Sequence, residues 1–493
     1  MLTKNALCRG LSAILAVLLS ITWMTSCAFD QESSETTGSV ETTAQTVTES
    51  TTVLSDDLPD DLDYHEDEIV IISISDEFNP SDLNGGVLND SLYERNEAVE
   101  SRLNIRFNCI QDSQAIDKVA IAVGSGDDGY DILVEASWRA IIKATENYYR
   151  DLRETDYLDF DKIWWNQSFN EAFEYNGSQY AVTGDMLLSP YRRTYATVFN
   201  KELFTAANQT YLYEYVSNGT WTLDKQASLV PIFHQDNGNQ QSDMMDDIFG
   251  FVSTTHIYVD CYFAACEVDI ISKNAEGVYE WVFDAEKMYD VTEKIFQLYY
   301  QDGSYIEQDN AVSEKTPHAV FSAGHSAMAT LCLDLLETPE IRLMPQEYGV
   351  VPMPKFDETQ TSYHSQMHDG FNIVCVPSTV SDERTHMLSA VLEAMASSSY
   401  RIVRPAYYET VLRTQIASDP QSAAMIDIVI NNIHIDIAFA YTHQLNTFHH
   451  RLQEIAKTGR TEGVVSTFEK ASKSSQRALG KLIEKLDKLS EQS

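Results

Sequence analysis

The run from Glu68 to Ser75 is almost continuously apolar, with Ile69, Val70, Ile71, Ile72 and Ile74 in line. A run without alternation marks a strand buried on both faces of a parallel sheet. The next segment changes period: between Asn89 and Leu103, Leu92, Val99 and Leu103 recur at helical spacing, with Asn89 or Asp90 as N-cap. Ile105–Phe107 then reads as a strand, 114–123 as a helix, Gly124 to Gly129 as a turn, and 130–134 as a third strand. This alternation predicts an α/β fold with crossover helices. Farther along, 179–183 and 196–200 read as strands, 222–225 as a helix start and 281–300 as helical. The pattern of 348–354 is extended and bounded by Pro352 and Pro354. Residues 371–376 form another apolar run, 382–397 a helix, and Leu479, Leu482, Ile483 and Leu486 the stripe of an amphipathic terminal helix. No self-similarity of solenoid period is visible.

The amino-terminal pattern differs. Lys4 and Arg9 precede an apolar run from Leu11 to Trp23, too short to span a bilayer comfortably and fit for a signal peptide. It ends at Met24-Thr25-Ser26-Cys27, which resembles a bacterial lipobox, with cleavage before a Cys27 that carries the lipid. The alternative is an ordinary cleaved signal followed by an incidental Cys. From Phe29 to about Leu54 the residues are mostly Ser, Thr, Glu and Gln. Such a composition cannot bury enough apolar surface to offset its ordering entropy. The expected layout is therefore signal peptide 1–26, then a flexible acidic tether 27–66, then a globular body held on the extracellular face of the cell membrane.

Composition narrows the function. The 493 residues include 34 Lys+Arg and 75 Asp+Glu, a formal charge of −41 that excludes nucleic acid as a partner. Setting aside Cys8 and Cys27, the remaining cysteines are Cys109, Cys261, Cys266, Cys332 and Cys375, an odd number with no Cys-x-x-Cys pair. A disulfide framework and a structural zinc site are not expected, although Cys261 and Cys266 could pair. No Gly-x-Ser-x-Gly, His-Glu-x-x-His or P-loop pattern appears.

Several segments together carry a family likeness. They are Tyr93-Glu94-Arg95-Asn96, Tyr130–Leu133, Trp164-Trp165, Tyr180–Asp185, Phe199–Lys201, Gly219–Asp224, Phe321–Met328, Tyr348–Pro354 and Arg404–Glu409. In this order and spacing, the chain from about Glu68 onward resembles extracellular solute-binding proteins of the maltose-binding-like class, the lipoprotein components of ABC importers. The resemblance implies two α/β lobes joined by several crossings, 67–190 with 358–400 and 191–357 with 401–493. It further implies a solute between them, a permease as partner, a monomer, no catalysis and no cofactor. In one respect the sequence departs from such relatives. Where they carry a calcium-loop-like Asp-x-Asn-Gly-Asp-Gly, residues 234–243 lack the alternating carboxylates, so no metal is expected there.

In open α/β sheets ligands lie beyond the carboxyl ends of the strands. That rule selects Glu77 after the first strand, Trp138 and Arg139 after the third, and Asp369 before the run at Phe371. Where the chain changes lobes it offers Asp185, Tyr191 and Arg193, and the Trp pair adds Trp165. Carboxylates and Arg suit sugar hydroxyls, and aromatic rings suit the C–H faces of a sugar, so an oligosaccharide is the expected solute. Each choice has a plainer alternative. Trp138 could pack at a sheet edge, Asp185 could cap a turn, and Arg192 and Arg193 could form ion pairs across the hinge. Trp221 reads as core, and His443, His449 and His450 as surface. A membrane-tethered polysaccharide hydrolase, or a sensor or adhesin that kept the binding fold, remain open alternatives at this level.

Overall fold

A computed structural model describes residues 55–78, 80, 83, 85–238, 247–308, 316–408 and 420–491. The lipobox with Cys27 and much of the departed calcium-loop region lie outside the described residues. The sheet expected at 67–136 forms, with strands Asp67–Ser73, Ile105–Gln111 and Ile132–Ala136. The first pairs in parallel with the other two, and Asn372–Cys375 adds antiparallel to Ile132–Ala136. Successive side chains of Asp67–Ser73 point to opposite faces, so Ile69 and Ile71 enter one core and Ile72 another.

Helix Val87–Leu103 buries Leu92, Val99 and Leu103 against helix Asp382–Tyr407. It starts at Gly86 rather than at Asn89 or Asp90. Within it, Arg95 is fully buried and donates to the carbonyl oxygens of Glu77 at 2.8 Å and Met186 at 3.1 Å. One guanidinium thus ties the loop after the first strand to a distant stretch of chain. Burial lowers its pKa to about 10, with Glu77 acting in the opposite direction.

A second sheet has the order 348–351, 195–200, 328–332, 251–254, 304–307. Strand Tyr195–Asn200 is antiparallel to both neighbours, while Phe251–Thr254 runs parallel to Met328–Cys332 and to Ser304–Glu307. The molecule is thus α/β with two mixed sheets.

Some elements depart from the sequence reading. The strand expected at 179–183 is reduced to a single bridge between Val182 and Val374, because the chain turns immediately at Gly184. The helical region expected from Trp281 begins only at Ala285. Residues 279–281 instead pair with 271–273, and the Asp284 side chain caps the helix by accepting from the Glu286 and Lys287 amides. The tether expected over 27–66 overlaps residues that are docked on the body. Asp56 is 4% exposed and pairs with Arg102 at 2.7 Å, an ion pair that fixes this acidic stretch against two helices.

Candidate functional site

The two sheets present matching ends. In the first, the carboxyl ends of Asp67–Ser73 and Ile132–Ala136 lie beside the amino end of antiparallel Asn372–Cys375. In the second, the carboxyl ends of Phe251–Thr254 and Met328–Cys332 lie on the side of the amino end of Tyr195–Asn200. Residues 368–369 connect these ends. The His368 amide donates to the Arg193 carbonyl at 2.7 Å, and Ser137 Oγ donates to the Asp369 carbonyl at 2.6 Å.

Around this junction the chemistry is that of imidazoles, acids and aromatic rings. Trp138 stands edge to face with His443, ring centroids 5.6 Å apart. His368 Nδ1 lies 3.0 Å from Asp369 Oδ1, and its ring neighbours Tyr195, which packs on Tyr258. Burial raises the Asp369 carboxyl, but the His368 hydrogen bond and the fields of His368, His449 and His450 outweigh it, leaving the pKa below the usual range. Arg193 pairs with Asp334 at 3.1 Å. Beneath lies Asp260, 7% exposed, which accepts from Gln453 at 2.7 Å and has His449 Nε2 at 3.8 Å.

Burial dominates the ionisation of this layer. It pushes the Asp260 carboxyl well up and the His449 imidazole down to about 3, and it lowers His256 and His450. Burial thus favours the uncharged form of each of these groups. Asp260 Oδ1, His256 Nδ1 and His449 Nδ1 have no hydrogen-bond partner among the described residues. Open hydrogen-bonding atoms on imidazole and carboxyl groups beside a tryptophan suit a hydroxyl-bearing ligand.

The residues chosen from sequence fall into three groups. Trp138, Arg193 and Asp369 meet at the junction. Trp165, Asp185 and Tyr191 come together elsewhere, on the wall of a cavity of about 230 Å³ that also exposes Arg404. Glu77 and Arg139 are engaged in the scaffold. The buried Glu77 carboxylate accepts from the Leu188 amide at 2.6 Å, and Arg139 pairs with Glu135 and Asp117. Trp165 is itself 2% exposed, with its indole N–H donated to Glu393 at 3.0 Å.

The histidines at 443–450 are not a surface feature as a group. His443 is exposed, but His449 is 1% exposed and His450 half-buried, both in the field of Asp369. His256, Tyr258 and Asp260 were missed because their strand, Phe251–Thr254, has only four residues and no readable period. Once that strand is known, its carboxyl end points to them. Trp221 is core, fully buried, donating to the Pro352 carbonyl. Cys261 and Cys266 are buried free thiols. Among the described residues, no group of His, Cys, Asp and Glu is arranged to hold a metal ion.

No protein-family model matches the chain, and no curated protein matches it by sequence. Solved structures match it by shape. An ABC substrate-binding protein of Listeria monocytogenes in complex with cycloalternan aligns over 85% of this chain and 99% of its own, with a TM-score of 0.53 at 16% identity. A maltose/maltodextrin-binding domain of Bdellovibrio bacteriovorus bound to maltotriose aligns over 85% and 100%, with a TM-score of 0.52 at 16% identity. The fold is that of a two-lobed ABC solute-binding protein. UgpB from Mycobacterium tuberculosis, in complex with glycerophosphocholine, aligns over 84% and 99% with a TM-score of 0.55 at 14% identity. The alignments run essentially the whole length of each solute-binding neighbour, so the likeness includes both sheets.

Proposed function

We propose that this chain is the substrate-binding lipoprotein of an ATP-driven importer and that it captures an oligosaccharide without altering it. The observation that carries this reading is the meeting of both sheets' ligand-side ends at Trp138, Asp369, Arg193 and the buried His449–Asp260 layer. Trp138 is the stacking platform. Asp369 and the neighbouring imidazoles supply acceptors and donors for hydroxyls. The lobes, 67–190 with 358–400 and 191–357 with 401–493, close on the solute by bending where the chain crosses between them.

Delivery requires a permease partner and a fixed position at the membrane. Cleavage before Cys27 and acylation of its thiol would hold the body on the extracellular face without a spanning helix, and no described helix is long and apolar enough to cross a membrane. Two experiments test the proposal. Neutral oligosaccharides are titrated against the purified protein, with the mixture analysed for cleavage: saturable binding with intact sugar is expected, and turnover contradicts it. Intact mass of the membrane-extracted protein should show a diacylglyceryl-modified Cys27, and a mature chain without lipid contradicts the anchor.

A further inference from the structure

The chain passes from one core to the other at two places that meet. Met186 and Leu187 belong to the core of the first sheet, whereas Leu188 and Tyr191 belong to that of the second. Helix Asp382–Tyr407 does the same: Met387 to Ala396 pack in the first core, Val403 and Tyr407 in the second. At the meeting point Arg404 faces Asp185, and beside them lies the cavity of about 230 Å³. None of its lining residues belongs to the junction of Trp138, Asp369 and the histidines.

Its wall is built by close backbone packing. Gly184 bridges Trp165, and a Cβ at Gly184 would come within 2.2 Å of the Trp164 carbonyl oxygen, so only glycine permits the approach. The Asp185 amide then donates to that carbonyl at 2.9 Å, which fixes the Asp185 side chain at the cavity. Asp185 is 5% exposed, yet its Oδ2 has no hydrogen-bond donor among the described residues. Arg404 Nη1 stands 3.6 Å away, near enough to balance the charge and too far to hydrogen-bond. Burial accordingly lifts the Asp185 carboxyl to about 7, with Arg404 opposing. A buried acceptor left open is costly and calls for a donor.

We propose that this crossover cavity is a second ligand site, separate from the oligosaccharide cleft, for a small neutral polyol the size of one sugar ring. The ligand donates a hydroxyl to Asp185 Oδ2, accepts from Arg404, and lies in the space that Tyr191 and Trp165 help to wall. Asp185 and Arg404 side by side present an acceptor and a donor, the pairing that neighbouring sugar hydroxyls match. Because the site joins two crossings, a guest there bears on lobe movement, and any coupling to the cleft is reciprocal.

The test uses the full protein labelled with fluorotryptophan, with the Trp165 resonance assigned through Trp165→Phe and D-glucose as the probe. Glucose should move the Trp165 resonance saturably in the wild type and in Trp138→Ala. Asp185→Asn should weaken that response by about tenfold or more. Asn431→Phe, at an exposed position on the cavity rim, should abolish it, and serves alone should Asp185→Asn fail to fold. A Trp165 resonance that glucose leaves in place, a response that survives Asn431→Phe or a folded Asp185→Asn undiminished, or one lost in Trp138→Ala overturns the proposal.

Discussion

Glu393 offers a perturbation whose size can be worked out. Its side chain is 1% exposed on helix Asp382–Tyr407 and accepts the indole N–H groups of Trp164 at 2.9 Å and Trp165 at 3.0 Å. The Asp159 amide adds a weaker bond at 3.3 Å. Burial raises the carboxyl from 4.5 to about 7, against the lowering effect of those three donors. The folded state therefore holds this proton more tightly than the unfolded chain does. Its contribution is most favourable below the unfolded pKa, declines as pH rises from about 4.5 to about 7, and is constant above. At about 1.4 kcal/mol per pKa unit, the stretch from about pH 5.5 to pH 8 carries roughly 2 kcal/mol.

Glu393→Gln removes the titration and keeps the shape. One indole N–H then faces an amide NH₂ and loses its acceptor, a pH-independent cost of about 1–3 kcal/mol. Urea unfolding followed by tryptophan fluorescence from pH 5.5 to 8 measures both effects. The wild type should be the more stable protein at the acid end, and its advantage over Glu393→Gln should shrink by roughly 2 kcal/mol toward pH 8. Parallel stability curves would refute the assignment of a proton to this carboxyl.

Other positions make equally direct claims. Trp138→Ala should weaken oligosaccharide binding about tenfold, about 1.4 kcal/mol in a calorimetric titration, with thermal stability little changed. Gly250→Ala should destabilise by more than 3 kcal/mol in urea, since its Cβ would lie 2.1 Å from the Val230 carbonyl oxygen, a backbone atom that cannot step aside. Reducing agent should leave the unfolding temperature of the body unchanged, because all five of its cysteines are free thiols.

How far the fold was legible depended on element length and on who shares each element's burial. The run at 68–75 and the helix ending at Leu103 declared themselves because one period persists over several residues. Of the second sheet only 196–200 and 348–354 were readable: Phe251–Thr254, Ser304–Glu307 and Met328–Cys332 have four, four and five residues, and their pairing partners are distant in sequence. That sheet carries His256 and Asp260 to the junction, so half of the candidate site was hidden with it. Trp138 and Asp369 were readable because they adjoin strands of the first sheet. Glu77 and Arg139 were chosen by the same rule, but side-chain direction is not written in spacing, and both turn to scaffold partners. His449 looked like one of three helical surface histidines, and only packing against Phe439 and Asp260 shows it buried.

Solute capture is proposed where the two sheets' ends meet. Calorimetric titration of the purified protein with a panel of neutral oligosaccharides, followed by chromatographic recovery of the sugar, tests this most directly. One-to-one binding of at least one member, recovered intact and weakened in Trp138→Ala, is the predicted result. Binding that is indifferent to Trp138, or a sugar returned cleaved, contradicts it.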